Sequence, residues 1–108
     1  ISLGHGDALR LQIDNACDAA GIRRMMHIEC TLASACLGFV AKGMGIAIVD
    51  DISAWAMRHA VDARPFLPRL DIELSLYRPW GTLPSAIVNA FTDHLVRRVK
   101  EISKEISG

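Results

Sequence analysis

Apolar and polar positions along this chain change period several times, and each change marks an element. Ile1 to Leu3 is a short β-compatible run. Gly4-His5-Gly6 then turns the chain into Asp7, whose short acceptor side chain suits a helix N-cap. Leu9, Ile13, Ala16, Cys17 and Ala20 follow at helical spacing, and Gly21 supplies the stop. Arg10, Asp14 and Asp18 fall on the opposite, polar side at four-residue steps, where Arg10 can pair with Asp14. One amphipathic helix is predicted from about Ala8 to Ala20.

Between Met25 and Thr31 the period drops to two, with His27 and Glu29 alternating against Met26, Ile28 and Cys30, which predicts a strand. Thr31 is placed to cap the next helix, Leu32 to Lys42. That helix is apolar nearly all round, and Ala33, Ser34, Ala35 and Gly38 allow close backbone approach, so packing on several sides is expected. Gly43 ends it. Gly45 to Val49 is a continuous apolar run, the pattern of a strand covered by helices on both faces. It stops at Asp50-Asp51, and Asp51 is expected to cap a short helix from about Ile52 to His59.

Val61 to Pro68 contains Pro65 and Pro68, which bars it from the middle of a sheet and makes it a crossover. Leu70 to Tyr77 alternates again, as a strand with one wet face. Pro79 and Gly81 break the chain, and Pro84 sits where the first turn of a helix tolerates proline. The long helix that follows carries an apolar stripe of Ile87, Val88, Phe91, Leu95, Val99, Ile102 and Ile106. Strands alternating with helices predict an α/β fold class with a mainly parallel sheet.

In such sheets ligands sit beyond the carboxyl ends of the strands. That rule brings His5, Gly6 and Asp7 to the same rim as Cys30, Thr31 and Leu32, and these six are the candidate ligand-binding residues. Both groups are helix starts, where free N–H groups and the helix dipole attract anions, so a small carboxylate fits the rim.

Composition narrows the function classes. The 108 residues suit one domain, and 51% hydrophobic with 22% charged residues excludes disorder. Twelve basic side chains balance twelve acidic ones, so this stretch lacks the basic footprint that grips duplex DNA. No run approaches the roughly 18 apolar residues of a membrane span. Cys17, Cys30 and Cys36 form no CxxC pair and read as reduced thiols in a cytoplasmic protein. Thiol catalysis would need a base beside the sulfur, yet His27 and Cys30 are three apart on a predicted strand and point to opposite faces. Asp14 and Asp18 belong to a solvated helix face. No catalytic residue, metal site or cofactor is therefore expected. The chain opens on Ile1 and reads as a piece of a larger protein.

The stretch Glu29 to Asp50, ECTLASACLGFVAKGMGIAIVD, resembles the effector domain of LysR-type transcriptional regulators. Its matching features are the acidic Glu29, the helix ending Val40-Ala41-Lys42-Gly43-Met44-Gly45, and the strand Ile46 to Val49. The helix Arg10 to Gly21, the crossover Ala63-Arg64-Pro65-Phe66, and Leu74 to Pro79 with the final helix resemble the flanks of that domain, in the same order. Asp50-Asp51 departs from the family, which commonly places proline there, and adds negative charge near the cleft.

The resemblance implies a periplasmic-binding-protein-like (type II) fold. Residues 1–62 would form the second effector-binding subdomain, 63–69 the crossover, and 70–108 the C-terminal strand and helix of the first. It implies a small-molecule inducer held between subdomains, a homodimer or higher homo-oligomer, no membrane contact, and DNA bound only through an N-terminal domain outside this chain. A solute-binding protein of the same fold serving transport is the alternative, and a small thiol hydrolase or transferase the third.

Overall fold

The computed structural model describes residues 1–81, 83 and 85–107. Its elements run β1 (Ser2–Leu3), α1 (Ala8–Ala19), β2 (Glu29–Cys30), α2 (Ala33–Ala41), α3 (Asp51–Ala56) and α4 (Ala86–Ser107). They fall into two compact units, Ile1–Ile72 and the chain from Glu73 onward.

In the first unit β1 and β2 pair in parallel, Ser2 opposite Glu29 and Leu3 opposite Cys30. Main-chain bonds from Ser2 N–H to the Ile28 carbonyl (2.8 Å) and from Gly4 N–H to the Cys30 carbonyl (2.9 Å) frame the pair. Parallel strands need a long crossover, and α1 supplies it. Asp7 caps α1 as expected, its carboxylate accepting from Leu9 N–H at 2.8 Å. Leu9, Ile13 and Cys17 turn inward at helical spacing and meet Leu3 and Cys36 in one core.

α1 and α2 end alike. Gly21 (φ +68°) follows α1, with Ile22 N–H donating to the Cys17 carbonyl and Gly21 N–H to that of Asp18. Gly43 (φ +75°) follows α2, with Met44 N–H reaching Phe39 and Gly43 N–H reaching Val40. This is the Schellman closure, which places a residue in the left-handed region where only glycine sits without strain.

Four expectations need correction. α2 is capped by Leu32, not Thr31: Leu32 has the extended cap conformation, and no side chain bonds to the first turn. α3 is capped by Asp50, not Asp51; the Asp50 carboxylate accepts from Ser53 N–H (2.8 Å) and Ser53 Oγ (2.7 Å). Arg10 was assigned to the wet face of α1, yet only 3% of it is exposed, because acceptors surround its guanidinium.

The fourth correction concerns the sheet, which has two strands among the described residues. An extended segment becomes a strand only when a second backbone meets its polar groups. Residues 25–27, 45–49 and 70–77 find no such ladder. Along 45–49 the Ile1 amino group donates to the Ile46 carbonyl (3.0 Å), and Ala47, Ile48 and Val49 pack on the core while Ile46 stays 85% exposed. Leu70 also reaches the core, and residues 71–80 are exposed. α2 meets both strands and α3, though Ser34 and Ala35 remain in solvent.

The second unit is built on α4. Ser85 opens it, its hydroxyl accepting from Val88 N–H (3.2 Å), and Lys104 in the last turn complements the helix dipole. Leu95, Val99, Ile102 and Ile106 are half-buried, whereas Ile87, Val88 and Phe91 are exposed. Pro84, expected in the first turn, lies outside the described residues.

The core assignment predicts a contrast within α1. Ile13 is 1% exposed and Leu11 is exposed. Ile13→Ala is expected to cost about 2–5 kcal/mol, and Leu11→Ala less than about 0.5 kcal/mol, read from urea unfolding midpoints.

Candidate functional site

The parallel register sends both strands out at one end. β1 leaves through Gly4-His5-Gly6 into α1, and β2 leaves through Thr31 and Leu32 into α2. Beside these exits lies a recess of about 340 Å³, lined by Leu3, Gly6, Asp7, Ala8, Leu9, Ala33, Asp50 and Ile72. The starts of α1 and α2 thus open on the same hollow.

Of the six residues expected at the rim, Gly6 and Asp7 line the recess directly. Cys30 holds the rim together through its carbonyl, which takes the Gly4 N–H, while its sulfur side packs against the core. Thr31 and Leu32 are exposed at the start of α2 without lining the recess, and His5 is exposed in the turn. His5 Nε2 lies 3.8 Å from Glu29 Oε1, an exposed pair of small energetic weight.

Beneath the rim is a polar knot that hydrophobic periodicity did not reveal. Arg10 Nε donates to Asp14 Oδ2 at 2.7 Å, and its NH1 donates to Glu29 Oε1 at 2.9 Å and to the Leu3 carbonyl at 2.7 Å. Arg24 NH1 takes the other Asp14 oxygen at 2.8 Å, and its NH2 reaches Ser2 Oγ at 3.0 Å. Burial alone would raise the Asp14 carboxyl; hydrogen bonds from Arg10 and Arg24 outweigh it and hold the group below its ordinary range. Hydrogen bonds to Asp14 and Glu29 raise Arg10 further and keep it charged.

The lining is mostly apolar, with the carboxylates of Asp7 and Asp50 as its ionisable groups. Asp50, the cap of α3, joins the site as a lining residue that the sequence did not single out for it. Cys36 is fully buried, its thiol donating to the Ser2 carbonyl at 3.6 Å. Burial, aided by the neighbouring Cys30, pushes that thiol up to about 11, the opposite of an activated nucleophile. Among the described residues no group of three or more His, Cys, Asp or Glu is placed to hold a metal ion, and no helix is long and apolar enough to cross a membrane.

Fold and recess together define a mixed α/β domain with a ligand-sized hollow at the carboxyl ends of a small parallel sheet. Residues 1–100 match the LysR substrate binding domain, and the chain belongs to that family. It is 30% identical over 106 residues to the regulatory protein NocR of Agrobacterium tumefaciens, and equally to that of Agrobacterium fabrum, a match covering 97% of this chain and 35% of each relative. It is 32% identical over 97 residues to the transcriptional activator protein LysR of Escherichia coli, covering 88% of this chain and 31% of that protein. The chain therefore spans about a third of the length of these curated relatives. No solved structure matches it. The LysR-type regulators are a non-enzymatic family.

The polar knot predicts acid sensitivity. Asp14 titrates lower when folded than when unfolded, so its contribution to stability is complete above about pH 5 and is lost as the pH falls through the depressed value. Urea midpoints measured from about pH 5 down to about pH 3 are expected to fall less steeply in Asp14→Asn than in the parent chain. Equal slopes would show that Asp14 is not the titrating group.

Proposed function

We propose that this chain is the effector-sensing part of a LysR-type transcriptional regulator, with a small molecule bound at the recess where β1 and β2 end. The observation that carries this reading is the parallel register, because it opens two helix starts onto one hollow. Its volume of about 340 Å³ lies within the range usual for small-molecule sites. Gly6 and Asp7 meet the ligand from the wall, and His5, Cys30, Thr31 and Leu32 from the rim.

In this reading the fold is periplasmic-binding-protein-like, with the effector held between two α/β subdomains. Residues 1–62 form most of the second, 63–69 the crossover, and 70–108 the closing strand and helix of the first. The DNA-reading domain and the rest of the first subdomain belong to sequence outside this chain, in keeping with the third of its relatives' length that it spans. The names of those relatives, a regulatory protein and a transcriptional activator, support the same role. Effector binding alters promoter occupancy by favouring one arrangement of the regulator over another, which requires different affinities for the two. The regulator acts as a homodimer or larger homo-oligomer. The free thiols of Cys17, Cys30 and Cys36 suit a cytoplasmic protein.

Thermal-shift screening of the full parent regulator tests the reading. The compounds should include small carboxylates and small amines, since the hollow meets both helix starts and the Asp7 and Asp50 carboxylates. A true effector at a hundredfold excess over its Kd stabilises by about 2.7 kcal/mol. Ala33→Trp, which fills the recess from the start of α2, is expected to abolish that shift while leaving the unliganded melting point within a few degrees. A shift that survives this change places the ligand elsewhere and refutes the recess.

A further inference from the structure

Three elements meet below the rim, and one side chain touches all of them. Arg10 projects from the first turn of α1 and is almost wholly buried. Its guanidinium reaches Asp14 in α1, the last carbonyl of β1 at Leu3, and the Glu29 carboxylate in β2. Only the planar fork of arginine presents donors in enough directions to do this. A leucine there would fill the core and tie nothing. Leu3 lies immediately before the exit of β1, and Glu29 one residue back from that of β2, with Cys30 between it and Thr31. His5, in the rim turn itself, approaches the same Glu29 oxygen that Arg10 holds. Arg24 repeats the link one layer back, joining Asp14 to Ser2.

We infer that Arg10 is the positioning residue of the recess: by gripping Leu3 and Glu29 at once it sets the separation of the two strand ends, and so where Gly4-His5-Gly6 enters α1. The inference rests on the effector-binding reading above. It assigns a function to the acidic Glu29 as the partner that completes the grip. The ligand meets Gly6 and Asp7, and Arg10 acts on them from below.

Residue-resolved amide hydrogen exchange on the whole chain tests this role. Arg10→Lys keeps the charge and much of the stem but has a single head that cannot span the three acceptors. The Gly4 amide, which donates to Cys30 across the rim, is expected to exchange at least about tenfold faster, while the Ile13 and Cys17 amides, in the middle and last turn of α1, change by less than about twofold. Unchanged exchange at Gly4, or an equal acceleration of all three, would overturn the positioning role and leave Arg10 an ordinary part of the core. Should Arg10→Lys fail to fold, Glu29→Gln removes the β2 charge from a half-exposed site, and the same local pattern is expected; a uniform response would again overturn the role. The readout needs no ligand. A uniform response therefore sinks the positioning role, a ligand-induced shift that survives Ala33→Trp sinks the recess reading, and the two failures are distinguishable.

Discussion

A guanidinium removed from water must be surrounded by acceptors, and Arg10 finds three within 2.9 Å on three separate elements. Stripping a partner from a buried charge costs more than an exposed pair is worth, and the partial exposure of Asp14 and Glu29 softens that cost without removing it. β1 and β2 share only two opposed residue pairs, too short a ladder to hold its own register. The knot of Arg10, Asp14, Glu29 and Arg24 provides the missing specification, and the apolar core of Leu3, Leu9, Ile13, Cys17 and Cys36 provides the driving force. With the register set, the starts of α1 and α2 must open side by side.

That placement links the fold to its proposed work. A sensor needs a hollow that receives a small molecule and walls whose arrangement the molecule can bias. The recess is bordered by a turn with glycine on both sides of His5, by a helix start capped by Asp7, and by another with no side-chain cap at all. A rigid base and an adaptable border suit a site that closes on a ligand. Cys36, behind the recess wall in the core, keeps its proton because burial pushes its thiol up to about 11.

The features that local physics dictates were readable from the chain. Asp7 before an apolar stripe, and Gly21 and Gly43 after the two helices, specify their caps by side-chain geometry and backbone freedom alone. The shared rim also followed, because parallel strands order their exits. Non-local pairing was not readable: the runs 45–49 and 70–77 have the composition of strands, but only a second backbone makes them so. Arg10 misled for the same reason. Asp14, four residues on, explains a surface pair; Glu29, nineteen residues on, and the Leu3 carbonyl explain the burial, and periodicity contains neither. The caps at Leu32 and Asp50 each moved one residue because the neighbouring residue already had the extended cap conformation.

The central claim is that β1 and β2 run parallel in one register and hold the two helix starts at one hollow. A scalar coupling measured by NMR across the Gly4 N–H to Cys30 carbonyl hydrogen bond reports that register without reference to any ligand. The account predicts a resolved coupling between the Gly4 nitrogen and the Cys30 carbonyl carbon, together with slow exchange of the Gly4 amide. No coupling and a freely exchanging Gly4 amide would mean that the strands do not end together, and the shared recess would have no physical basis.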